Sequence, residues 1–375
     1  MRILFTGGGS GGHVFPIIAI KEAFLEPHNF YYLGPDSFAK ENFENQQIKT
    51  KFIFAGKIKR YFSLGLPIEI IKTIFGFIQS LWYLFFWMPD VIFSKGGYGS
   101  FPVILAGWIY RIPIVLHDSD SIPGLANKIL AKFAKKIILS FPNSAKYFKK
   151  SAQGRSASGG KIIVIGNPIR KELLEGDKNK AREIFKISTL STSLRASKPV
   201  ILITGGSQGA EKINEIVINT LPRLLEISEI IHSCGERNFK NTEKDAQKSP
   251  NYHLYPFLKA EELKHAYALS DLIISRAGAG NIFEIAALGK PSILIPLPNS
   301  AQEHQRQNAY DFKGDGRCIV LEQENLTPNL FLEQISNLLS DSALMQAMSE
   351  KAKTFYNPQT NELIRDEILK FAQRA

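Results

Sequence analysis

A glycine-rich phrase occurs twice in this chain, and it constrains the fold more than any other feature. Residues 3–13 read ILFTGGGSGGH, and residues 200–210 read VILITGGSQGA. Each copy joins an uncharged apolar run to a glycine turn and then to a segment with helical periodicity. That order is typical of a buried parallel strand followed by a turn whose backbone N–H groups cradle a phosphate. The repetition therefore predicts two similar α/β halves that face each other across a cleft.

Strand-like apolar runs alternate with helical segments along the rest of the chain, which predicts a doubly wound α/β fold in each half. With 375 residues, the chain is long enough for two domains with separate cores. We place a first domain at 1–165, a second at 166–345, and a helical tail at 346–375 that could pack back on the first. The strands are predicted at 2–6, 29–33, 90–94, 113–116, 136–140, 161–165, 199–204, 229–233, 252–255, 271–275 and 292–296.

Composition narrows the choice of partners. The net charge of +11 favours an anionic membrane surface or a pyrophosphate, and the alternative is a basic surface without a binding role. There is no zinc-finger spacing, RNP-type motif or recognition-helix pattern, so nucleic acid is the least favoured partner. The two cysteines, Cys234 and Cys318, form no C-x-x-C pair, which predicts neither a disulfide framework nor a zinc cluster. Because the first strand is predicted to begin at Arg2, we expect no signal peptide ahead of it.

Residues 73–88 read TIFGFIQSLWYLFFWM and carry no charge. A bilayer-spanning helix needs roughly 20 apolar residues, so this segment is too short to predict one. It is either a buried core helix or a helix whose aromatic face dips into a membrane interface beside the basic residues Lys57, Lys59 and Arg60. We expect a mixture, part packed and part exposed. The membrane-facing candidates are Phe75, Trp82, Phe85 and Phe86.

The first glycine turn, residues 7–12, formally contains G-x-G-x-x-G, and Asp36 follows the second predicted strand. Dinucleotide-binding domains share this pattern, so an NAD-dependent oxidoreductase is one alternative. The turn lacks the Lys-Ser/Thr ending of a P-loop, so ATP hydrolysis is not expected. His13 stands where the following helix begins. An imidazole there can act as a general base, bind a phosphate, or simply cap the helix.

A second glycine turn, KGGYGS at 95–100, follows the strand predicted at 90–94. A glycine turn at a strand end is often only a tight turn. Because both turns of this half stand at carboxyl ends of parallel strands, however, they predict one anion site built from converging backbone N–H groups.

Candidate ligand residues are densest in segment 275–309. A turn of small residues after Arg276 opens a helix and leaves room for a diphosphate over the helix N-terminus. Glu284 follows on that helix, where a carboxylate can accept paired hydrogen bonds from a ribose diol. The alternative is a polar helix that faces water. Side chains suited to sugar hydroxyls come after the next strand, namely Gln302, His304, Gln305 and Asn308.

Motifs along nearly the whole chain resemble those of the MurG family, the family 28 glycosyltransferases that add N-acetylglucosamine to lipid I in peptidoglycan synthesis. In family order and spacing, the motifs are GGSGGH at 8–13, GGYGSFP at 96–102, PGLANK at 123–128, GNPIR at 166–170, GGSQGA at 205–210 and SRAGA…E…HQRQNA at 275–309. The resemblance implies a GT-B fold and an inverting transfer from UDP-GlcNAc to the muramyl 4-hydroxyl, which gives lipid II. It implies no covalent intermediate, no required metal and no cofactor.

The same resemblance implies roles for individual residues. His13 matches the proposed base, Glu284 would hold the ribose, and Leu258 would flank the uracil through backbone contacts. The acceptor diphosphate would lie on the first domain, at Gly8, Gly9, Gly96, Gly97, Tyr98 and His117. The other donor-binding positions would be Ser10, Gly11, Gly12, Asn127, Arg170, Ser207, Ala279, Gly280, Asn281, Gln305 and Asn308.

Two positions depart from the family pattern. Asn281 stands where a threonine is usual, and its amide can still bond a phosphate or sugar oxygen. Residues 117–120 read HDSD where the family usually has H-E-Q-N, so the carboxylate is one methylene shorter and two amides are lost. The second departure concerns acceptor recognition more than donor binding.

The implied partners are UDP-GlcNAc, undecaprenyl-linked lipid I, anionic lipids and other cell-wall synthesis proteins. The implied location is the cytoplasmic face of the plasma membrane, as a peripheral protein that serves cell shape and division. A transferase with a diacylglycerol or sterol acceptor would share the donor half, but it should lack the PGLANK stretch at 123–128 that is present here. A non-catalytic sugar-nucleotide binder is the other alternative.

Overall fold

The computed structural model describes residues 1–9, 11–35, 39–57, 65–148, 160–187, 198–206, 209–246 and 249–373. The chain divides into two compact units. The first unit comprises Met1–Ile169 with Asn357–Ala375, and the second comprises Arg170–Tyr356. Each unit is a parallel sheet with helices packed on it, so the predicted α/β class is confirmed.

The described part of the first unit contains a seven-stranded parallel sheet in the order β3-β2-β1-β4-β5-β6-β7. The strands are β1 (Arg2–Thr6), β2 (Asn29–Gly34), β3 (Lys49–Phe52), β4 (Val91–Ser94), β5 (Ile114–Asp118), β6 (Lys136–Leu139) and β7 (Ile162–Val164). The helices are α1 (Gly11–Glu22), α2 (Ala39–Glu44), α3 (Leu66–Trp87), α4 (Phe101–Ile109) and α5 (Leu125–Leu130). Central strands such as β4 are buried along their whole length, which is why they read as continuous apolar runs.

The second unit has a six-stranded parallel sheet among its described residues, in the order β10-β9-β8-β11-β12-β13. The strands are β8 (Val200–Thr204), β9 (Glu229–Ser233), β10 (Tyr252–Tyr255), β11 (Leu272–Ser275), β12 (Ser292–Leu294) and β13 (Ile319–Val320). The helices are α6 (Lys178–Phe185), α7 (Glu211–Ile227), α8 (Phe239–Asp245), α9 (Ala260–Leu269), α10 (Ala279–Leu288), α11 (His304–Lys313), α12 (Pro328–Ser340) and α13 (Ser342–Lys353).

The last helix, α14 (Thr360–Ala372), belongs to the first unit. Its Ile364 and Ile368 are fully buried in the same core as strand β1. The side chain of Asn361 donates to the carbonyl of Ile169 at 2.8 Å and to that of Ala19 at 3.3 Å. These bonds tie the end of the chain to the first unit.

The tail therefore differs from the single segment placed at 346–375. It consists of two helices, and α13 lies in the second unit while α14 lies in the first. Residues 166–169 also belong to the first unit. The side chain of Asn361 accepts a hydrogen bond from the N–H of Ile169 and donates one to its carbonyl.

Both glycine turns occupy the same place in their sheets. The chain reverses its direction of strand addition between β1 and β4 in one sheet and between β8 and β11 in the other. Thr6 pairs with Ser94 at the carboxyl ends of the first pair, and Thr204 pairs with Ser275 at those of the second. Ligands of open α/β sheets bind at such switch points, so the topology places a candidate site in each unit.

Helix α3 begins seven residues before the predicted apolar segment, at Leu66. Only a narrow stripe is buried, formed by Gly76, Ser80, Leu84 and Trp87. A Cβ atom on Gly76 would lie 1.7 Å from the carbonyl oxygen of Phe54, so glycine allows the helix to lie against that segment. The helix is thus part packed and part exposed, as predicted.

The opposite side of α3 is a broad exposed apolar face. Phe75 is 57%, Trp82 64%, Phe85 60% and Phe86 60% exposed, and Trp108 at the end of α4 is 54% exposed. Among the described helices, α3 is long and apolar enough to cross a membrane by length and composition, a test that core helices also pass. Because its buried stripe packs on the first unit, we interpret α3 as a helix docked on that unit.

Candidate active site

The turn after β1 runs from Gly7 to Gly9 and leads into α1, whose third residue is His13. A Cβ atom on Gly8 would lie 3.0 Å from Cε1 of His13, and one on Gly97 would lie 3.2 Å from its Nε2. Gly97 also has a φ of +81°, a conformation that favours glycine. The two glycine turns of the first unit therefore close around the imidazole of His13.

The environment of His13 disfavours its protonated form. Burial lowers the pKa of His13 to about 4, the ammonium of Lys95 adds to the effect, and the carboxylate of Asp120 opposes it. The N-terminus of α1 acts in the same direction as Lys95, because the positive end of a helix dipole disfavours a cation. His13 is consequently neutral at neutral pH and can accept a proton.

Lys95, the residue after β4, is 2% exposed. Its Nζ donates three hydrogen bonds, to Nδ1 of His117 at 2.8 Å, Oγ of Ser119 at 2.6 Å and Oδ1 of Asn167 at 3.1 Å. Nε2 of His117 lies 3.0 Å from the carbonyl of Gly166, which can only accept, so Nε2 carries the ring proton and Nδ1 is the acceptor for Lys95. The ammonium thereby joins the ends of β4 and β5 to the loop after β7.

Asp118, the last residue of β5, is also buried. Nδ2 of Asn127 donates to its Oδ2 at 2.7 Å, and the backbone N–H of Gly97 donates to Oδ1 of Asn127 at 2.9 Å. Burial raises the pKa of Asp118 to about 7, the charge of Asp120 adds to the rise, and the bond from Asn127 opposes it. Asn127 thus connects a strand end to the second glycine turn.

Two predicted contact residues are engaged inside the first unit. His117, assigned to the acceptor diphosphate, is fully buried with both ring nitrogens bonded to the protein. Asn127, assigned to the donor, is 9% exposed. Its side-chain amide donates to Asp118 and accepts from the N–H of Gly97. Both lie beneath the turns, so they support the site instead of lining it. The other predicted positions of this unit lie on the two turns or the start of α1, namely Gly8, Gly9, Gly11, Gly12, Gly96, Gly97 and Tyr98.

The corresponding turns of the second unit leave an open space. Gly206 follows β8 with a φ of +77°, Gly278 precedes α10, and Gly280 is the second residue of that helix after Ala279. A Cβ atom on any of these three glycines would meet no described atom within 4 Å. The first N–H groups of α10 have no helical partner, so an anionic diphosphate fits this open cradle.

Glu284 lies on α10 beside the cradle, with 13% of its side chain exposed. The hydroxyl of Tyr267, on α9, donates to Oε2 of Glu284 at 2.8 Å, and Nη2 of Arg170 lies 3.9 Å from Oε1. Burial raises the pKa of Glu284, while Arg170 and the bond from Tyr267 oppose the rise. A carboxylate held in this way is an acceptor for ligand hydroxyl groups.

Several other predicted donor contacts are buried or bonded within the second unit. Asn308 is fully buried and its Nδ2 donates to the carbonyl of Ala277 at 3.3 Å, so it braces the turn before α10. Oε1 of Gln305 accepts from the N–H of Leu297 at 3.0 Å. Leu258 is buried in the loop between β10 and α9.

Arg276 fixes the small-residue turn to its neighbours. Its guanidinium donates to the carbonyls of Ile295 and Pro296 at 3.1 and 3.2 Å and to Oε1 of Gln323 at 2.7 Å. Nδ2 of Asn281 donates to the carbonyl of Arg276 at 3.4 Å. Burial lowers the pKa of Arg276 to about 10, so it stays charged at neutral pH. Arg276 therefore has a structural role: its charged side chain fixes the turn that precedes α10.

Some predicted residues lie outside the described part of the chain. These are Ser10 and Ser207 among the donor contacts, Asp36, and the basic residues Lys59 and Arg60. Within the described ranges, no group of three or more His, Cys, Asp or Glu side chains is placed to hold a metal ion.

Two candidate residues have no role in the sequence-based predictions. Lys95 carries a weak signal, a cation directly after an uncharged buried strand. Tyr267 carries none, because nothing local distinguishes its place on α9 from an ordinary core position. Their importance depends on contacts with residues distant in sequence.

Both units match models of a known protein family. The model described as the glycosyltransferase family 28 N-terminal domain matches residues 3–139, and that of the family 28 C-terminal domain matches residues 200–364. Together the two models match more than half of the chain.

Two curated relatives are similar over most of their length. A protein of Legionella pneumophila (strain Paris) is 39% identical over 340 residues, which cover 90% of this chain and 88% of that protein. One of Clostridium kluyveri is 38% identical over 342 residues, with 90% and 91% covered. Both are named UDP-N-acetylglucosamine--N-acetylmuramyl-(pentapeptide) pyrophosphoryl-undecaprenol N-acetylglucosamine transferase.

Solved structures agree with this match. Acinetobacter baumannii MurG aligns with a TM-score of 0.72 and 26% identity, covering 98% of this chain and 99% of that chain. The UDP-GlcNAc 2-epimerase of Neisseria meningitidis aligns with a TM-score of 0.66 at 14% identity, covering 99% and 100%, which is a likeness of fold alone. The GT-B fold class predicted from the sequence is confirmed by these alignments.

Proposed function

The chain belongs to glycosyltransferase family 28, and we propose that it transfers N-acetylglucosamine from UDP-N-acetylglucosamine to N-acetylmuramyl-(pentapeptide) pyrophosphoryl-undecaprenol, which is lipid I. One observation carries this proposal: in the second unit, an open glycine cradle at the N-terminus of α10 adjoins the held carboxylate of Glu284. A diphosphate and a ribose diol are the parts of a UDP-sugar that require these two groups.

The donor binds the second unit in this proposal. Its diphosphate lies over Gly278 and Gly280, where the N–H groups of α10 meet negative charge. Its ribose hydroxyls donate to Glu284. The same groups stabilise the charge that develops on the departing UDP, which is how preorganised dipoles lower a barrier.

The acceptor binds the first unit, with its diphosphate on the glycine turns at residues 8–9 and 96–99. The muramyl 4-hydroxyl oxygen bonds to the anomeric carbon of N-acetylglucosamine as the bond from that carbon to the UDP oxygen breaks. The bonding electron pair leaves with UDP, and the hydroxyl proton goes to His13. Because the pKa of His13 is lowered to about 4, its imidazole is neutral and available for this proton.

The exposed face of α3 supports a peripheral membrane location. Three of its aromatic side chains, Phe75, Trp82 and Phe85, are each more than half exposed. An apolar face of this kind inserts into the interface of a bilayer, and the net charge of +11 favours anionic lipids. We place this protein on the cytoplasmic surface of the membrane, where a lipid-linked acceptor is held.

A transfer assay tests the proposal. The purified chain is incubated with labelled UDP-GlcNAc and a short-chain lipid I analogue, and the expected result is labelled disaccharide product together with free UDP. Glu284→Ala is the matched control and should reduce transfer. Binding of UDP-GlcNAc without transfer would identify a sugar-nucleotide binder and contradict the proposal.

A thermal-shift experiment separates the dinucleotide alternative. UDP and UDP-GlcNAc should raise the melting temperature by binding the folded state, and NADH should not. Stabilisation by NADH alone would favour an oxidoreductase.

A further inference from the structure

The buried side chain of Lys95 contacts neither donor nor acceptor in the proposed function. A charged lysine is costly to bury, and its burial is tolerated when every donor is bonded and opposite charge is near. Here the three N–H groups are bonded to His117, Ser119 and Asn167. Burial lowers the pKa of Lys95 to about 7, and the nearby Asp118 and Asp120 oppose the fall, so Lys95 is an ammonium in the lower pH range where His13 takes up a proton.

Lys95 also lies directly beside the candidate base. A Cβ atom on Gly7 would lie 3.3 Å from the Cβ atoms of both His13 and Lys95, so the two side chains flank Gly7. The backbone N–H of Lys95 donates to the carbonyl of Thr6 at 2.9 Å, which joins the starts of the two glycine turns. Movement of Lys95 would therefore be transmitted to both turns around the imidazole.

We propose that Lys95 is a positioning residue for the transfer: its buried ammonium holds the turns that enclose His13 and places a positive charge, opposed by Asp120, beside the imidazole. This inference deepens the proposed function and rests on it. Lys95 touches neither substrate in this proposal and acts through His13.

The charges around His13 act in opposite senses. Burial lowers the pKa of His13 most; Lys95, from the loop after β4, lowers it further, and Asp120, from the loop after β5, raises it. Asp118 faces Lys95, and His117 is kept neutral by burial. Tyr32, from β2, also faces the site: its hydroxyl donates to the carbonyl of Gly7, and burial raises its pKa above the ordinary value, so it is neutral where His13 titrates.

Two variants separate a charge effect from simple loosening of the site. Lys95→Met removes the positive charge at similar length, and Asp120→Asn removes the negative charge at the same shape. Lys135→Met, on the exposed side of the first unit, is the control. The pKa of His13 is read by NMR of labelled histidine, with His13→Gln assigning the resonance.

We expect Lys95→Met to raise the pKa of His13 by about one unit, because a neighbouring like charge is lost. Asp120→Asn should leave it at or below its wild-type value, and Lys135→Met should not change it. A rise in both Lys95→Met and Asp120→Asn would indicate loosening and overturn the proposal, as would no rise in Lys95→Met.

The pH profile of kcat/KM tests the connection to catalysis. Its acid limb should move up with the His13 pKa in Lys95→Met, while UDP affinity stays unchanged. If the NMR pKa moves and the acid limb does not, Lys95 sets the state of His13 but His13 is not the base, so the proposed mechanism fails separately. Lys95→Arg, which keeps the charge, is the second variant should Lys95→Met not fold, and it should keep the wild-type acid limb.

Discussion

The hydroxyl of Tyr267 donates a 2.8 Å hydrogen bond to Oε2 of Glu284. Burial raises the pKa of this phenol well above its ordinary value, and the nearby charge of Glu284 adds to the rise. Tyr267 is therefore a neutral donor at every working pH. It holds one oxygen of the carboxylate and leaves Oε1 on the side of Arg170.

Tyr267→Phe should weaken UDP binding, because Glu284 loses the bond that orients its carboxylate. A hydrogen bond to a charged group contributes about 1.5–3 kcal/mol, so we expect roughly a tenfold or greater loss of affinity by calorimetry. Glu284→Ala should cost at least as much. Tyr252→Phe, which removes a hydroxyl bonded to His232 in the same unit, is the control. Wild-type affinity in Tyr267→Phe would refute the positioning of Glu284.

His13→Ala should lower kcat by about 10²–10⁴-fold, the usual contribution of a general base. Its UDP affinity should remain near wild type, since the donor cradle belongs to the second unit. Steady-state transfer kinetics and calorimetry measure the two quantities. Turnover close to wild type would show that another group takes the proton.

Much of the skeleton could be predicted from local sequence. Strands such as β4 and β11 are apolar runs because both faces are buried, and glycine turns mark where they end. Strand β3 was not predicted. It lies at the edge of its sheet and reads KTKF, and alternating lysines on a half-exposed edge strand do not give an apolar run.

The location of the candidate site could be predicted from the sequence better than the roles of its polar residues. The turns and Glu284 follow from motif and spacing. His117 and Asn308 carry ligand-like chemistry in sequence, yet both are fully buried and bonded to backbone carbonyls. Whether an imidazole or an amide faces a ligand or braces a loop depends on tertiary contacts, which local patterns do not contain.

Replacement of Phe75, Trp82 and Phe85 by Ser should release the protein from anionic vesicles. Each side chain is more than half exposed, so the fold loses little packing while the interface loses apolar area. Vesicle flotation measures the bound fraction.

The control replaces three partly exposed apolar residues of the second unit by Ser, namely Leu174, Ile184 and Leu344, which are 38–45% exposed. That variant should float like wild type. Equal flotation of all three proteins would contradict a membrane role for α3.

Glycine-to-alanine substitution should have opposite effects on melting temperature and UDP affinity at the two ends of α10. A Cβ atom on Gly280 meets open space, so Gly280→Ala should keep or raise the melting temperature and lower UDP affinity by filling the cradle. Gly289 has a φ of +60°, and its Cβ atom would lie 2.3 Å from Cε of Lys353. Gly289→Ala should therefore lower the melting temperature and leave the affinity of the folded protein unchanged. Unchanged UDP binding in Gly280→Ala would remove the diphosphate from this position.

His232 couples the stability of the second unit to pH. Burial lowers its pKa to about 3, and its ring nitrogens lie 2.8 Å from the hydroxyl of Tyr252 and 3.1 Å from Oδ1 of Asn214. In the unfolded chain His232 binds a proton near pH 6.5, whereas in the folded unit it stays neutral until the pH falls to about 3. The free energy of unfolding must therefore fall as pH drops from about 6.5 toward 3.

At pH 5 this group alone should cost the folded second unit about 2 kcal/mol relative to pH 7.5, since each pKa unit is worth about 1.4 kcal/mol. His232→Gln removes the titration and should flatten that part of the pH dependence, even if the variant is less stable at every pH. Hydrogen exchange of peptides covering β9, corrected for intrinsic rates, measures the free energy of unfolding at both pH values. Parallel pH dependences in wild type and His232→Gln would mean that His232 is protonated in the folded unit, and that its hydrogen bonds to Tyr252 and Asn214 do not keep it neutral.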